Sequence, residues 1–398
     1  MSHAARAVPT TEGSGTGSTA DHVAPYVGFV IEDHLGHATH AENLLRELDR
    51  RGLTAAWMPI PFPVDGLARH VPGYGSNWTV RAGVRARRAI ARAQRERRLD
   101  ALFVHTQVAA VLSSSWFARV PAVVSLDATP RQIDELGGHY GHATAGGRVE
   151  QLKLRANRRS LCRARRVVAW SAWAADSVVA DYGVPPDAVE VIPPGIDLTR
   201  WRAVDRPDGG GAVGDGPLRV LFVGGDLVRK GGDVLLEAVA SVAGEIAVHL
   251  DLVTTDPAAD RWVDHPAVTV HRGITPNSDR LLELAGAAHV FCLPTRGDCL
   301  PLALLEAAAT GLATISTGVA AIGEVVEDGV TGLVVPVGDA GAIARALREL
   351  ADPVLRRRLG ADARTRAEER FDVVTNTGRL LDVLAEVAAA GPPVGLTR

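Results

Sequence analysis

The sequence predicts an α/β protein of two doubly wound domains facing each other across a cleft, and three observations carry that expectation. The chain has 398 residues, too many for one ordinary hydrophobic core and suited to two of roughly 150–200 residues each. Short apolar runs alternate with amphipathic stretches, as in a parallel sheet covered by helices on both faces. The pattern also breaks once and restarts. Residues 203–217, Ala203 to Pro217, are rich in Gly, Asp and Pro and read as a linker.

Taken in order, residues 1–22 are rich in Gly, Ser and Thr and lack the apolar centre of a signal peptide, which implies a flexible tail. An N-terminal domain over 23–202 begins with a strand at Tyr26–Ile31, then a glycine-containing loop through Gly36, then a helix over Ala41–Arg51 closed by Gly52. Strands follow at Thr54–Met58, Ala101–His105, Ala122–Leu126 and Val167–Trp170, with helices at Arg81–Arg98 and Gln151–Arg165. A C-terminal domain over 218–371 restarts with a strand at Leu218–Val223 and a helix from Gly232. Strands are expected next at Val248–Val253, Val268–His271, Val290–Leu293, Ala313–Ser316 and Gly332–Val335. The intervening helices lie near Arg280–Ala285, at Leu302–Thr310 and at Ala340–Ala351. A last helix, 372–390, is expected to pack back on the N-terminal domain. Open sheets of this kind bind ligands at the cleft.

Composition narrows the function classes. A net charge of −3 gives no overall field for nucleic acid. Three scattered cysteines make neither a disulfide framework nor a zinc spacing, which points to a reducing cytoplasm. No apolar run reaches the roughly 20 residues of a membrane helix. The chain uses 41 arginines against two lysines, Lys153 and Lys230, so a retained lysine is a candidate for chemistry that arginine cannot do.

Lys230 lies in the best local signal. A buried strand ends at Gly224-Gly225, and Arg229-Lys230 then precede a helix start. Free backbone N–H groups, the positive helix end and two cations converge there, as an anion site requires. A compact ammonium beside a forked guanidinium suits a diphosphate. The second signal runs from Leu293 to Gly311. Asp298 falls in a loop after a strand and Glu306 in the helix that follows, a spacing that lets both carboxylates face one pocket. By contrast, Gly209-Gly210-Gly211-Ala212-Val213-Gly214 fits a dinucleotide fingerprint in the wrong context, since it precedes a strand. His34, His37 and His40 lack a completing carboxylate or thiolate, and no metal is expected. The arginine-rich stretches 81–98 and 153–166 read first as solvated helix faces. Weak peripheral contact with an anionic membrane is their alternative.

Several segments together resemble retaining glycosyltransferase family 4: Asp298 to Gly311, Ala313-Thr-Ile-Ser-Thr317, Glu324-Val-Val-Glu-Asp-Gly329, Gly332-Leu-Val-Val335, Arg229-Lys230-Gly231 and Val191-Ile-Pro-Pro-Gly-Ile-Asp197. The resemblance covers roughly 23–385 and is strongest over 190–340. It implies the GT-B fold of two Rossmann-like domains and transfer of a sugar from a nucleotide diphosphate sugar to a hydroxyl acceptor. No cofactor is implied, because the nucleotide sugar is the substrate. By this likeness Glu306 accepts the ribose hydroxyls, Asp298 touches the transferred sugar, Arg229 and Lys230 hold the diphosphate, and Gly36 approaches the phosphate and sugar. Gly224, Gly225, Leu300, Pro301 and Leu302 complete the donor site. Three departures stand out: Asp298 where the family's E-x7-E motif opens with Glu, Gly225 where an arginine is common, and Asp127 where a histidine is common. Asp127 and the strand-end His105 are expected to line the active site. A sugar-nucleotide epimerase and an inactive partner subunit of the same fold are the alternatives.

Overall fold

The computed structural model describes residues 24–63, 69–71, 74, 77–137, 147–204 and 216–392. The expected tail, most of the linker and parts of the segments 59–77 and 131–147 lie outside the described residues. The N-terminal half carries, in chain order, β1 (Val27–Asp33), α1 (Leu35–Arg50), β2 (Ala56–Pro61), α2 (Trp78–Glu96), β3 (Ala101–His105), α3 (Gln107–Ser113), β4 (Ala122–Leu126), α4 (Pro130–Leu136), α5 (Arg148–Arg163), β5 (Arg166–Ala169), α6 (Ala172–Ala180) and β6 (Val189–Val191). The C-terminal half carries β7 (Leu218–Val223), α7 (Gly232–Val242), β8 (Val248–Val253), β9 (Val268–His271), α8 (Asp279–Ala287), β10 (Val290–Leu293), α9 (Leu302–Ala309), β11 (Ala313–Thr317), β12 (Gly332–Val335), α10 (Ala340–Glu349), α11 (Pro353–Arg370) and α12 (Val373–Ala390).

Two six-stranded sheets result, ordered β2-β1-β3-β4-β5-β6 and β12-β11-β10-β7-β8-β9. Every strand pair is parallel. Central strands β3 and β4 are buried along their whole length, which is why they read as unbroken apolar runs rather than alternating ones. Strand β2 contains Pro59 and Pro61 and lies at an edge, where a missing N–H costs no ladder bond. Side-chain oxygens start the helices: Asn77 accepts from Val80 N at 3.2 Å, and Asp339, Asp352 and Asp372 cap α10, α11 and α12.

One correction concerns the first helix. It begins at Leu35, not near Ala41, so Gly36 sits in its first turn rather than in a loop. The turn has no side-chain cap and no acidic residue, so neither usual start signal marks it. Helices α3, α4, α6 and α11 and strand β6 were not expected. Helix α4 follows a full capping box in which Thr129 and Gln132 satisfy each other's backbone N–H groups.

The two halves are threaded together. Val220, Leu250, Phe291 and Ile315 centre the C-terminal core. Val30, Ile90, Val104 and Val124 fill one side of the N-terminal sheet. On the other side Phe29, Ile31 and Phe103 pack against Leu380, Val383, Leu384 and Val387 of α12, so this helix covers the sheet at the far end of the sequence. The chain crosses itself on the way: Ile196 N donates to Phe371 O at 2.7 Å and Val373 N to Ile196 O at 3.0 Å. Gly195 sits against the Val373 backbone so closely that a Cβ would collide with it.

Candidate functional site

One cluster of the expected site residues is assembled where β7 and β10 end. After β7, Gly224 leaves room for the Lys230 side chain, which an added Cβ would meet at 3.1 Å. Gly231, left-handed at φ 75°, turns the chain into α7. Its missing side chain lets the loop after β7 lie against the Pro294 carbonyl of the loop after β10, with which a Cβ would clash. Arg296 straps the two loops further. It grips Asp233 of α7 with two hydrogen bonds of 2.7 and 2.9 Å, and its N–H donates to Arg229 O at 2.8 Å.

This contact brings Arg229, Lys230 and Asp298 together. Arg229 Nη1 donates to Asp298 Oδ1 at 2.8 Å and to Gly297 O at 2.7 Å. Lys230 Nζ lies 3.2 Å from Oδ1 and 3.0 Å from Oδ2 of the same carboxylate. The Thr295 hydroxyl donates to Oδ2 at 2.9 Å. All three charged groups are largely withdrawn from solvent, with 13%, 17% and 10% of their side chains exposed. Glu306, on α9, is buried among Leu221, Val223, Phe291 and Ala303. Burial pushes its carboxyl up to about 7, and the charge of Lys230 pulls it partly back. Lys230 therefore interacts with both carboxylates that the sequence singles out. Leu300 and Leu302 are buried, and Pro301 holds the N-cap position of α9.

At the N-terminal sheet the strand ends gather a different set. His105 closes β3 with no exposed surface, stacked on Trp170 at 4.8 Å and 12°. It does not itself face open space: its Nε2 meets Nδ1 of His37 at 2.9 Å, and His37 is the partly exposed ring. Burial holds His105 well below the usual imidazole range, with the charges of His37 and His40 adding to the effect. His40 is lowered to about 3, chiefly by burial. His34 lies apart, stacked on Phe62 at 4.3 Å. The three-residue spacing thus splits between two neighbourhoods, and among the described residues no group of three His, Cys, Asp or Glu is placed to hold a metal.

Glu32, which sequence reasoning missed, lies one residue before the end of β1 in a buried position. The Thr106 hydroxyl and Trp78 Nε1, the latter at 3.2 Å, both donate to it. Desolvation raises its carboxyl, His37 and these donors oppose that, and the half-buried Asp127 after β4 adds to the rise. Its only sequence signal is a charged residue at a strand's C-terminal end. Arg81, from the arginine-rich stretch, turns inward and sits over the rings of Trp78 and Phe62 at 5.2 and 5.4 Å. No helix among the described residues is long and apolar enough to cross a membrane.

Comparison with known proteins places this geometry. The model of Glycosyltransferase Family 4 matches residues 36–200, and that of Glycosyl transferases group 1 matches 217–352. The D-inositol 3-phosphate glycosyltransferase of Saccharomonospora viridis is 32% identical over 234 residues, 54% of this chain and 54% of the relative. That of Streptomyces bingchenggensis is 31% identical over 56% of this chain and 53% of the relative. The chain thus spans about half the length of the curated relatives it matches. Among solved structures, sucrose-phosphate synthase from Thermosynechococcus elongatus superposes with a TM-score of 0.73 at 18% identity, covering 92% of this chain and 100% of that one. HepE of Anabaena, solved with UDP and glucose, gives 0.64 at 17% identity over 91% and 99%. With each half of the chain matched in turn and the two-sheet architecture shared throughout, this chain belongs to glycosyltransferase family 4 and has the GT-B fold.

Proposed function

We propose that this protein transfers a glycosyl group from a nucleotide diphosphate sugar to a hydroxyl acceptor with retention of anomeric configuration. The observation that supports it best is the clamp of Arg229, Lys230 and Asp298 beside the buried Glu306, at the N-terminus of α7. Two cations and free helix N–H groups are what a departing diphosphate needs as its charge grows. Glu306 accepts the ribose hydroxyls, and Asp298 reaches the sugar. The acceptor hydroxyl attacks from the face the diphosphate leaves, and a phosphate oxygen takes its proton. Asp127 and the His37–His105 pair stand on the acceptor side. No divalent ion is required, since Arg229 and Lys230 supply the positive charge and the chain nowhere has two aspartates separated by one residue.

HepE structures hold UDP and UDP-glucose, and the curated relatives are named for D-inositol 3-phosphate. UDP-glucose and D-inositol 3-phosphate are therefore the first donor and acceptor to try. The test follows UDP release with and without acceptor and reads the product's anomeric proton by NMR. Transfer giving an α-linked product from the α-linked donor is expected. A β linkage would refute retention. Absence of both transfer and donor hydrolysis across a panel of UDP, GDP, ADP and TDP sugars would refute the enzymatic reading.

A further inference from the structure

The two cations assigned to the diphosphate both pair with one carboxylate of the protein itself. Arg229 Nη1 is 2.8 Å from Asp298 Oδ1, and Lys230 Nζ is within 3.0 and 3.2 Å of the two oxygens of the same group. Thr295, fully buried, steadies the carboxylate with its hydroxyl at 2.9 Å. Asp226 adds a second carboxylate 3.4 Å from Arg229 Nε. The local charge is balanced: two positive groups against two negative ones. A phosphate arriving here meets the start of α7 and two cations whose charge is already met by carboxylates, so to reach those cations it must displace a carboxylate that is held by three donors.

We propose that Asp298 is a built-in competitor for the diphosphate, a carboxylate seated where a phosphate oxygen binds, which sets how tightly the donor and the released nucleoside diphosphate are held. This rests on the donor reading above and adds to it a second state for Asp298. With donor bound, Arg229 and Lys230 turn to the phosphates, and Asp298 is released toward the sugar. Without donor, it returns. Aspartate suits this exchange, because a carboxylate on one methylene already reaches both cations. A carboxylate with one negative charge competes poorly with a diphosphate bearing two or three, but well with a monoanion. The arrangement therefore favours diphosphates over singly charged ligands. It also weakens retention of the product, whose release limits many transfer reactions.

Inorganic pyrophosphate is the probe, because it reads the cation pair without involving the nucleoside pocket. Isothermal titration calorimetry on the full chain compares the wild type with Asp298→Asn, which keeps the side chain's size and removes its charge. Pyrophosphate should bind the variant at least tenfold more tightly, with a steeper loss of affinity on adding salt, because Arg229 and Lys230 then no longer face the Asp298 charge. If Asp298 instead serves only to position Arg229 and Lys230, the variant loses affinity, and unchanged or weaker binding overturns the proposal. Absence of pyrophosphate binding in both proteins overturns it as well. Should Asp298→Asn fail to melt cooperatively, Thr295→Val serves in its place. It removes one anchor of the carboxylate, and it should raise pyrophosphate affinity severalfold, with no gain again overturning the idea. Turnover of the UDP, GDP, ADP and TDP sugars by the wild type is measured separately. Tighter pyrophosphate binding without any glycosyl transfer would sink the enzymatic reading and leave the competing carboxylate standing.

Discussion

Replacing Glu306 by glutamine keeps the side chain's outline and deletes one titration. Burial raises this carboxyl from 4.5 to about 7, with Lys230 offsetting only part of the rise. The unfolded chain has the ordinary value, so between these two pH values the folded protein keeps a proton that the unfolded one has lost. Stability from this group is thus fully present below about pH 4.5 and is lost as pH climbs to about 7. A shift of roughly 2.5 units at 1.36 kcal/mol per unit sets an upper bound of ~3 kcal/mol. Glu306→Gln should match the wild type at pH 4 and exceed it by about 2–3 kcal/mol at pH 8. Urea denaturation at both pH values, followed by tryptophan fluorescence, reads the difference. An equal stability change at the two pH values would refute the reasoning. The same variant should bind UDP more weakly, since a carboxylate suited to two ribose hydroxyls becomes an amide. A gain in stability against a loss of binding is the usual signature of a functional burial.

Three further outcomes are expected. Gly231→Ala forces both an unfavourable φ and a clash with the Pro294 carbonyl, and should cost about 2–5 kcal/mol. Gly225→Ala, whose Cβ meets only Thr255 Oγ1 at 3.5 Å, should melt like the wild type in the same thermal scan. Lys230→Ala should lower transfer by about 10²-fold or more while melting normally, and wild-type transfer should persist in excess EDTA. Rescue of EDTA-treated enzyme by manganese or magnesium would overturn the phosphate-site argument. His40 is depressed from 6.5 to about 3, so its contribution to stability is present above about pH 6.5 and lost as pH falls toward 3. His40→Phe should accordingly blunt acid unfolding between pH 6 and 4, measured by circular dichroism, and equal acid midpoints would argue against it.

The central strands were legible because β3, β4, β7 and β10 are largely buried on both faces, and such strands cannot hide their apolar runs. The start of α1 was not, since its first turn holds His34, Leu35, Gly36 and His37 and no capping side chain. Helix α11, with arginines along its length and little apolar asymmetry, left no periodic stripe to find. Strand β6 has only three residues, all half-buried. At the site, the sequence points to Arg229, Lys230, Asp298 and Glu306 one by one. Their mutual pairing depends on two loops 60 to 70 residues apart meeting at Gly231 and Pro294, which no local pattern records. Glu32 and the His37–His105 contact, at a sequence separation of 68, were hidden for the same reason.

The crossing of the chain at Gly195 and Val373 bears on how the protein is made. Because α12 supplies Leu380, Val383, Leu384 and Val387 to the face of the first sheet, that sheet cannot finish its core until residue 387 has been synthesised. A ribosome releases the second domain's strands while the first domain still shows an open apolar face of Phe29, Ile31 and Phe103. Cutting at the linker would therefore not yield two self-sufficient halves. An expressible first domain would need α12 carried over to it, as a separate peptide or by rejoining the chain in a new order.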